Sequence, residues 1–149
     1  MAGALAVAAL NGVAGMTGAY VWYAGDPAGA LARGFWVALR VAQGSALVLA
    51  IAIGAAAAAG RHPTEDLFYL YALLPLAVAF VAEQLRVASA QTILDQRGLS
   101  SAAEVGTLAE DEQRELMMSV VRRELGVMAL SALVVLGLTL RAAGTAHGF

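Results

Sequence analysis

Residues 34–60 read GFWVALRVAQGSALVLAIAIGAAAAAG, and Arg40 is the single charge in the stretch. About 20 apolar residues make a helix long enough to cross a hydrocarbon core of roughly 30 Å, so this stretch reads as a membrane span. Three more runs share the pattern. Met1 to Gly25 carries no charged side chain, Leu67 to Val87 is uncharged as far as Glu83, and Leu125 to Leu140 is uncharged throughout. The 149-residue chain is 60% hydrophobic and 13% charged, whereas a soluble domain carries roughly 25% charge. The reading is therefore all-α. It is an integral membrane four-helix bundle, one domain over 1–149, with spans at about 2–24, 34–59, 66–88 and 119–141.

The first run lacks a basic leader and stays apolar too long for a cleaved signal peptide, so it is expected to remain as a span. Cysteine is absent, which excludes disulfides, thiolate metal sites and a lipidated cysteine anchor. Four spans put both termini and the 61–66 connection on one face, where the arginines are Arg61 and Arg141. Arg33, Arg97, Arg114, Arg122 and Arg123 fall on the other face, with Arg40 and Arg86 near it. Positive residues favour the cytoplasm, so the expected location is the plasma membrane with both termini outside. Aromatic residues suit the same boundaries: Tyr20, Trp22, Tyr23, Phe35 and Trp36 as an inner belt, and Phe68, Tyr69 and Tyr71 as an outer one.

Charge inside hydrocarbon is costly and normally has a partner or a purpose, which directs attention to Arg40, Glu83, Gln84 and Arg86. Counting from the inner belt, Arg40 is one turn up the second span and Glu83 one turn inside the end of the third. The depths are about 6 Å for Arg40 and about 6 to 8 Å for Glu83 at 1.5 Å per residue. Matched depth on neighbouring antiparallel helices predicts that they pair. Trp36, Arg40 and Gln43 form one stripe of the second helix, and Tyr71, Pro75, Ala79, Glu83, Arg86 and Ala90 one stripe of the third. The stripes should face the bundle interior, where Gln43 and Gln84 complete the hydrogen bonds. Three roles fit Glu83: an i, i+3 pair with Arg86, a lock between helices, or ion and proton handling. Arg40 also lies close enough to the interface for its long stem to reach lipid headgroups. Pro75 removes a backbone donor and predicts a kink.

In the first span Asn11, Gly15 and Gly18 share a face built for close backbone approach, and Asn11 is expected to hydrogen-bond to another helix. That face either packs within the chain or forms an oligomer contact. Between spans three and four, residues 89–118 read as a cytoplasmic helical hairpin that extends both helices. Gly98 is placed to cap helix three, while Ser101 with Glu104 and Thr107 with Glu110 form capping-box patterns. The last helix, at about 34 residues, exceeds the bilayer thickness and projects from it. The acids Glu110, Asp111, Glu112 and Glu115 suit the helix dipole at its start, and Arg114, Arg122 and Arg123 suit anionic lipid headgroups. Leu108, Leu116 and Val120 give the hairpin an apolar edge that would serve as a docking platform.

Phosphate-binding, zinc-protease and nucleophile-elbow motifs are missing from the sequence. No cofactor is expected. A surface metal site from His62, Glu65, Asp66 and His147 competes with the simpler reading that Pro63, Thr64 and the acids start helix three. The net charge of -2 gives no support to nucleic-acid binding.

The segment HPTEDLFYLYALLP, residues 62–75, with Glu83-Gln84-Leu85-Arg86 and Arg122-Arg123-Glu124, resembles small four-span integral membrane proteins of high-GC actinobacteria. The resemblance implies the architecture and carries no mechanism. Two functions remain open. One is a non-enzymatic interaction protein, an accessory or structural subunit of a membrane complex or a homo-oligomer, with the lipid bilayer and a membrane protein as partners. The other is a small transporter or ion-conducting oligomer using Glu83 and Arg40. The almost wholly apolar stretch above Gln43 and Glu83 interrupts any polar pathway and favours the first.

Overall fold

The computed structural model describes residues 1–24, 26–62, 67–99 and 102–145. The chain is all-helical among the described residues: α1 (Ala2–Ala24), α2 (Ala30–Ala58), α3 (Leu67–Gln96), a single turn α4 (Ala102–Val105) and α5 (Glu110–Thr145). Each of α1, α2, α3 and α5 is long and apolar enough to cross a membrane, as four long apolar runs separated by charged turns require. The protein is a multi-pass membrane protein.

Local chemistry sets the helix ends. Asp26 accepts a hydrogen bond from the Ala28 amide at 2.9 Å, turning the chain from α1 into α2. Gly60 and Gly98 adopt φ values of 78° and 70°, a left-handed conformation that side-chain-bearing residues avoid. After each, an amide bonds back five residues, from Arg61 to Ala56 and from Leu99 to Leu94, both at 3.0 Å. These are paired glycine caps that satisfy the last carbonyls of α2 and α3. The start of α5 differs from expectation. The Thr107 hydroxyl donates backward to the Glu104 carbonyl at 2.7 Å, while Glu112 accepts from the Ala109 amide at 3.4 Å. The capping residue is thus Ala109, two positions beyond Thr107, and only the acidic half of a capping box forms. The Ser101 half of the other expected box lies outside the described residues, as do Pro63, Thr64, Glu65, Asp66 and His147.

Packing is centred on α5, which lies along α1 and α3, while α2 rests on α1 and meets α3 only sparsely. Small residues explain the closeness of α1. A Cβ on Gly15 would stand 2.7 Å from Leu133 Cδ2, and one on Gly18 would stand 2.5 Å from Phe35 Cε2 and 2.8 Å from Ala129 Cβ. Asn11, Gly15 and Gly18 are all buried, so this face is consumed within the chain. Asn11 corrects one expectation, because its amide donates to the Val7 carbonyl of its own helix at 2.9 Å. Phe35 corrects another. It is fully buried against Gly18 and belongs to the core with Ala14, Val21, Leu39, Leu125 and Met128, not to an interfacial belt.

A second core cluster closes the opposite end, where Ile53, Phe68, Ala72 and Ala142 meet. Pro75 is buried within α3, which continues as one helix through it. At roughly 45 Å and 54 Å, α3 and α5 are both longer than a roughly 30 Å hydrocarbon core, and near the connection between them Arg97 pairs with Glu115 at 2.9 Å. Their side chains are 37% and 73% exposed, so the pair contributes at most about 1 kcal/mol. Arg97→Ala is expected to leave the denaturation midpoint almost unchanged. A large downward shift would mean that this pair, not apolar packing, holds the hairpin.

Candidate functional site

The charges within the spans gather where α2, α3 and α5 converge. One turn separates Trp36 from Arg40 on α2, placing both on the side that faces α3. Arg40 Nη1 donates to Glu83 Oε1 at 2.5 Å and to Gln43 Oε1 at 2.7 Å. Gln43 Nε2 approaches the same glutamate oxygen at 3.4 Å. The partnership inferred from matched depth is present, and Gln43 orients the guanidinium within it.

Arg86 carries the network onward. Its Nε lies 3.1 Å from Glu83 Oε2, off the line of a hydrogen bond, and its Nη1 lies 3.9 Å from Glu124 Oε2 on α5. Its guanidinium carbon stands 5.6 Å from the centroid of the Trp36 ring, a cation–π distance. Trp36 in turn tilts against Phe35 at 5.1 Å between centroids, which ties the charges to the core below. Two arginines balance two glutamates, and the chain Arg40, Glu83, Arg86, Glu124 links three helices.

Side-chain exposures of 52% for Arg40, 28% for Glu83, 30% for Arg86 and 22% for Glu124 place the cluster at the edge of the bundle. Among the described residues it is an open network at one end of the bundle. Beyond Gln43 and Glu83 the helices meet through Leu49, Ile53, Phe68 and Ala72. The arrangement is suited to holding helices in register.

Gln84 is not part of it. Being next to Glu83 turns its side chain about 100° around the helix, and it is exposed. Glu124 was missed from the sequence, although a depth count would have found it. It lies five residues, about 7.5 Å, inside the expected start of the fourth span, level with Glu83 and about one turn deeper than Arg86. Trp36 is legible as part of the Arg40 and Gln43 stripe as well as of the belt, but its contact with Arg86 depends on how α2 and α3 are rotated.

At the other end of the bundle Arg141 stands over Tyr71 at 5.8 Å, and His62 Nδ1 is 3.2 Å from the Tyr69 hydroxyl. The remaining members of the considered metal set, Glu65, Asp66 and His147, lie outside the described residues. Among the described residues no group of three metal-ligating side chains assembles. Comparison with family models, curated proteins and solved structures gives no match to the chain.

Proposed function

We propose that the protein is a non-enzymatic interaction subunit of the plasma membrane that self-associates through the outer face of α2. In this reading both termini lie outside and the hairpin lies in the cytoplasm. The observation that carries it is the composition of that face. Gly34, Val37, Val41, Gly44, Val48 and Ile51 recur at alternating three- and four-residue spacing, and all are exposed. Val37, Val48 and Ile51 are 66%, 66% and 64% exposed, and nothing lies within 4 Å of a Cβ placed on Gly34 or Gly44.

Membrane helices associate through small residues that admit a neighbouring backbone, and a three-four repeat is the seam of a left-handed crossing. The outer face of α3 differs. It presents Leu70, Leu73, Phe80 and Leu85, bulky side chains as miscible with lipid tails as with protein. Of the most apolar stretch of α2 17% is buried, against 22% for α3 and 44% for α1 and α5, so composition and not exposure alone separates the faces of α2 and α3. A face alternating glycine gaps with β-branched ridges is complementary to itself, which points to a second copy as partner.

Conduction through Glu83 and Arg40 is less well supported, because the two neutralise each other and the polar groups stop after one turn. The chain contains no cysteine, so an introduced thiol reports on its own position. Val48→Cys is expected to form disulfide dimers efficiently in membranes under mild oxidation, and Leu130→Cys on the outer face of α5 to remain mostly monomeric. Equal cross-linking at the two positions would remove the assignment to α2.

A further inference from the structure

We propose that the hairpin end of the α1–α5 seam is a binding site for one anionic phospholipid. A groove of about 440 Å³ runs between the two helices, lined by Ala19, Trp22, Gly126, Leu130 and Leu133, with Arg123 at its end. A smaller notch of about 190 Å³, lined by Trp22, Tyr23 and Arg122, adjoins it through the shared tryptophan.

The groove exists because α5 has a glycine where the indole lies. Trp22 Nε1 stands 2.9 Å from where a Cβ of Gly126 would be. Arg122 and Arg123 are consecutive, about 100° apart on the helix, and so fall on opposite sides of that ring. Both are exposed. Among the described residues neither lies within ion-pair distance of a carboxylate, in contrast to Arg40, Arg86 and Arg97.

Charge and length select the occupant. Arg123 to Leu133 spans about 15 Å of helix axis, half of the roughly 30 Å core and so a length that matches one acyl chain of a single leaflet. An acyl chain fits the uncharged groove while a phosphate bridges the two guanidinium groups, with Trp22 and Tyr23 at headgroup level. A second copy of the chain fits poorly, because it would bring two further unpaired arginines against these.

Trp22 is itself the reporter, since Trp36→Phe leaves it as the sole indole. In phosphatidylcholine nanodiscs, a small fraction of phosphatidylglycerol with brominated acyl chains is expected to quench Trp22 about 5-fold more effectively than equally brominated phosphatidylcholine. Arg122→Gln with Arg123→Gln should abolish the preference without loss of helicity. Ala19→Phe, which fills the groove and keeps both charges, should also reduce quenching. Native mass spectrometry of the unaltered chain should show retained phosphatidylglycerol over phosphatidylcholine. Equal quenching by both lipids would overturn the proposal, as would a preference that survives the double substitution. Competition by inorganic phosphate would assign the arginines to a soluble anion, and protection of Trp22 from both lipids in a dimer would assign the groove to a second copy. Either result refutes the lipid site.

Discussion

Glu83→Leu is expected to destabilise the protein by about 2–3 kcal/mol, because it strips two guanidinium groups of the carboxylate they share. Removing one partner of a fully buried ion pair costs about 3–5 kcal/mol. The figure is lower here because Glu83 is 28% exposed and Arg86 keeps Glu124 within 3.9 Å. The effect should be directional. α2 is held to α3 mainly at this cluster and at the Ile53–Ala72 end, so α2 should separate from α3 while α1 and α5 stay packed. Denaturant titration in detergent micelles would give the loss, and spin labels on α2 and α3 would give the separation.

Arg40→Met in the same background should recover part of the loss, with a coupling energy of about 1 kcal/mol or more in the double-mutant cycle. Additive losses would mean that Arg40 is solvated by headgroups and Glu83 serves another partner. Glu83→Gln preserves the shape and a weaker hydrogen bond from Arg40. It is expected to fold with a smaller loss, so a Gln variant of normal stability whose loss of cation flux in liposomes is complete would favour the transport reading instead.

Gly18→Leu should be more damaging still. The first added carbon alone meets Phe35 at 2.5 Å and Ala129 Cβ at 2.8 Å, and the second contact is attached directly to the backbone of α5. No rotamer removes it, so α1 must move away from both neighbours. Overpacking costs about 1–3 kcal/mol where side chains can adjust. Here whole helices have to shift, and the expected outcome is loss of the folded species from mild detergent, read as aggregation in size-exclusion chromatography. Gly18→Ala should retain a destabilised fold. A Leu variant with unaltered thermal unfolding would show that α1 does not pack on α5 as described.

Much of this fold is legible in the sequence because a bilayer imposes a length and a charge rule that single residues cannot evade. Long apolar runs give four spans, and depth counted from their ends pairs Arg40 with Glu83. What depth does not encode is rotation about each helix axis. Gln84 lies at the right height and faces away. Phe35 lies at the height of a belt but points into the core, because Gly18 opens a space for its ring. Asn11 was expected to seek another helix, but an amide one turn from a carbonyl can satisfy its donor locally. The same ambiguity concealed the outer face of α2. Its three-four repeat of glycine and β-branched residues is plain in the sequence, yet a helix of this composition is equally suited to the centre of a bundle. Only the placement of α1 and α5 at the centre leaves it uncovered.

Gly18 and Gly44 are both small positions on membrane helices, but a Cβ at Gly44 meets nothing of its own chain within 4 Å. Gly44→Leu is therefore expected to leave helicity and unfolding intact while blocking the approach of a second α2. Native mass spectrometry from lipid nanodiscs should find the unaltered protein at a multiple of the chain mass and the Gly44→Leu variant at the mass of one chain. An unaltered protein that is monomeric, or a variant that assembles as well as its parent, would contradict self-association through α2.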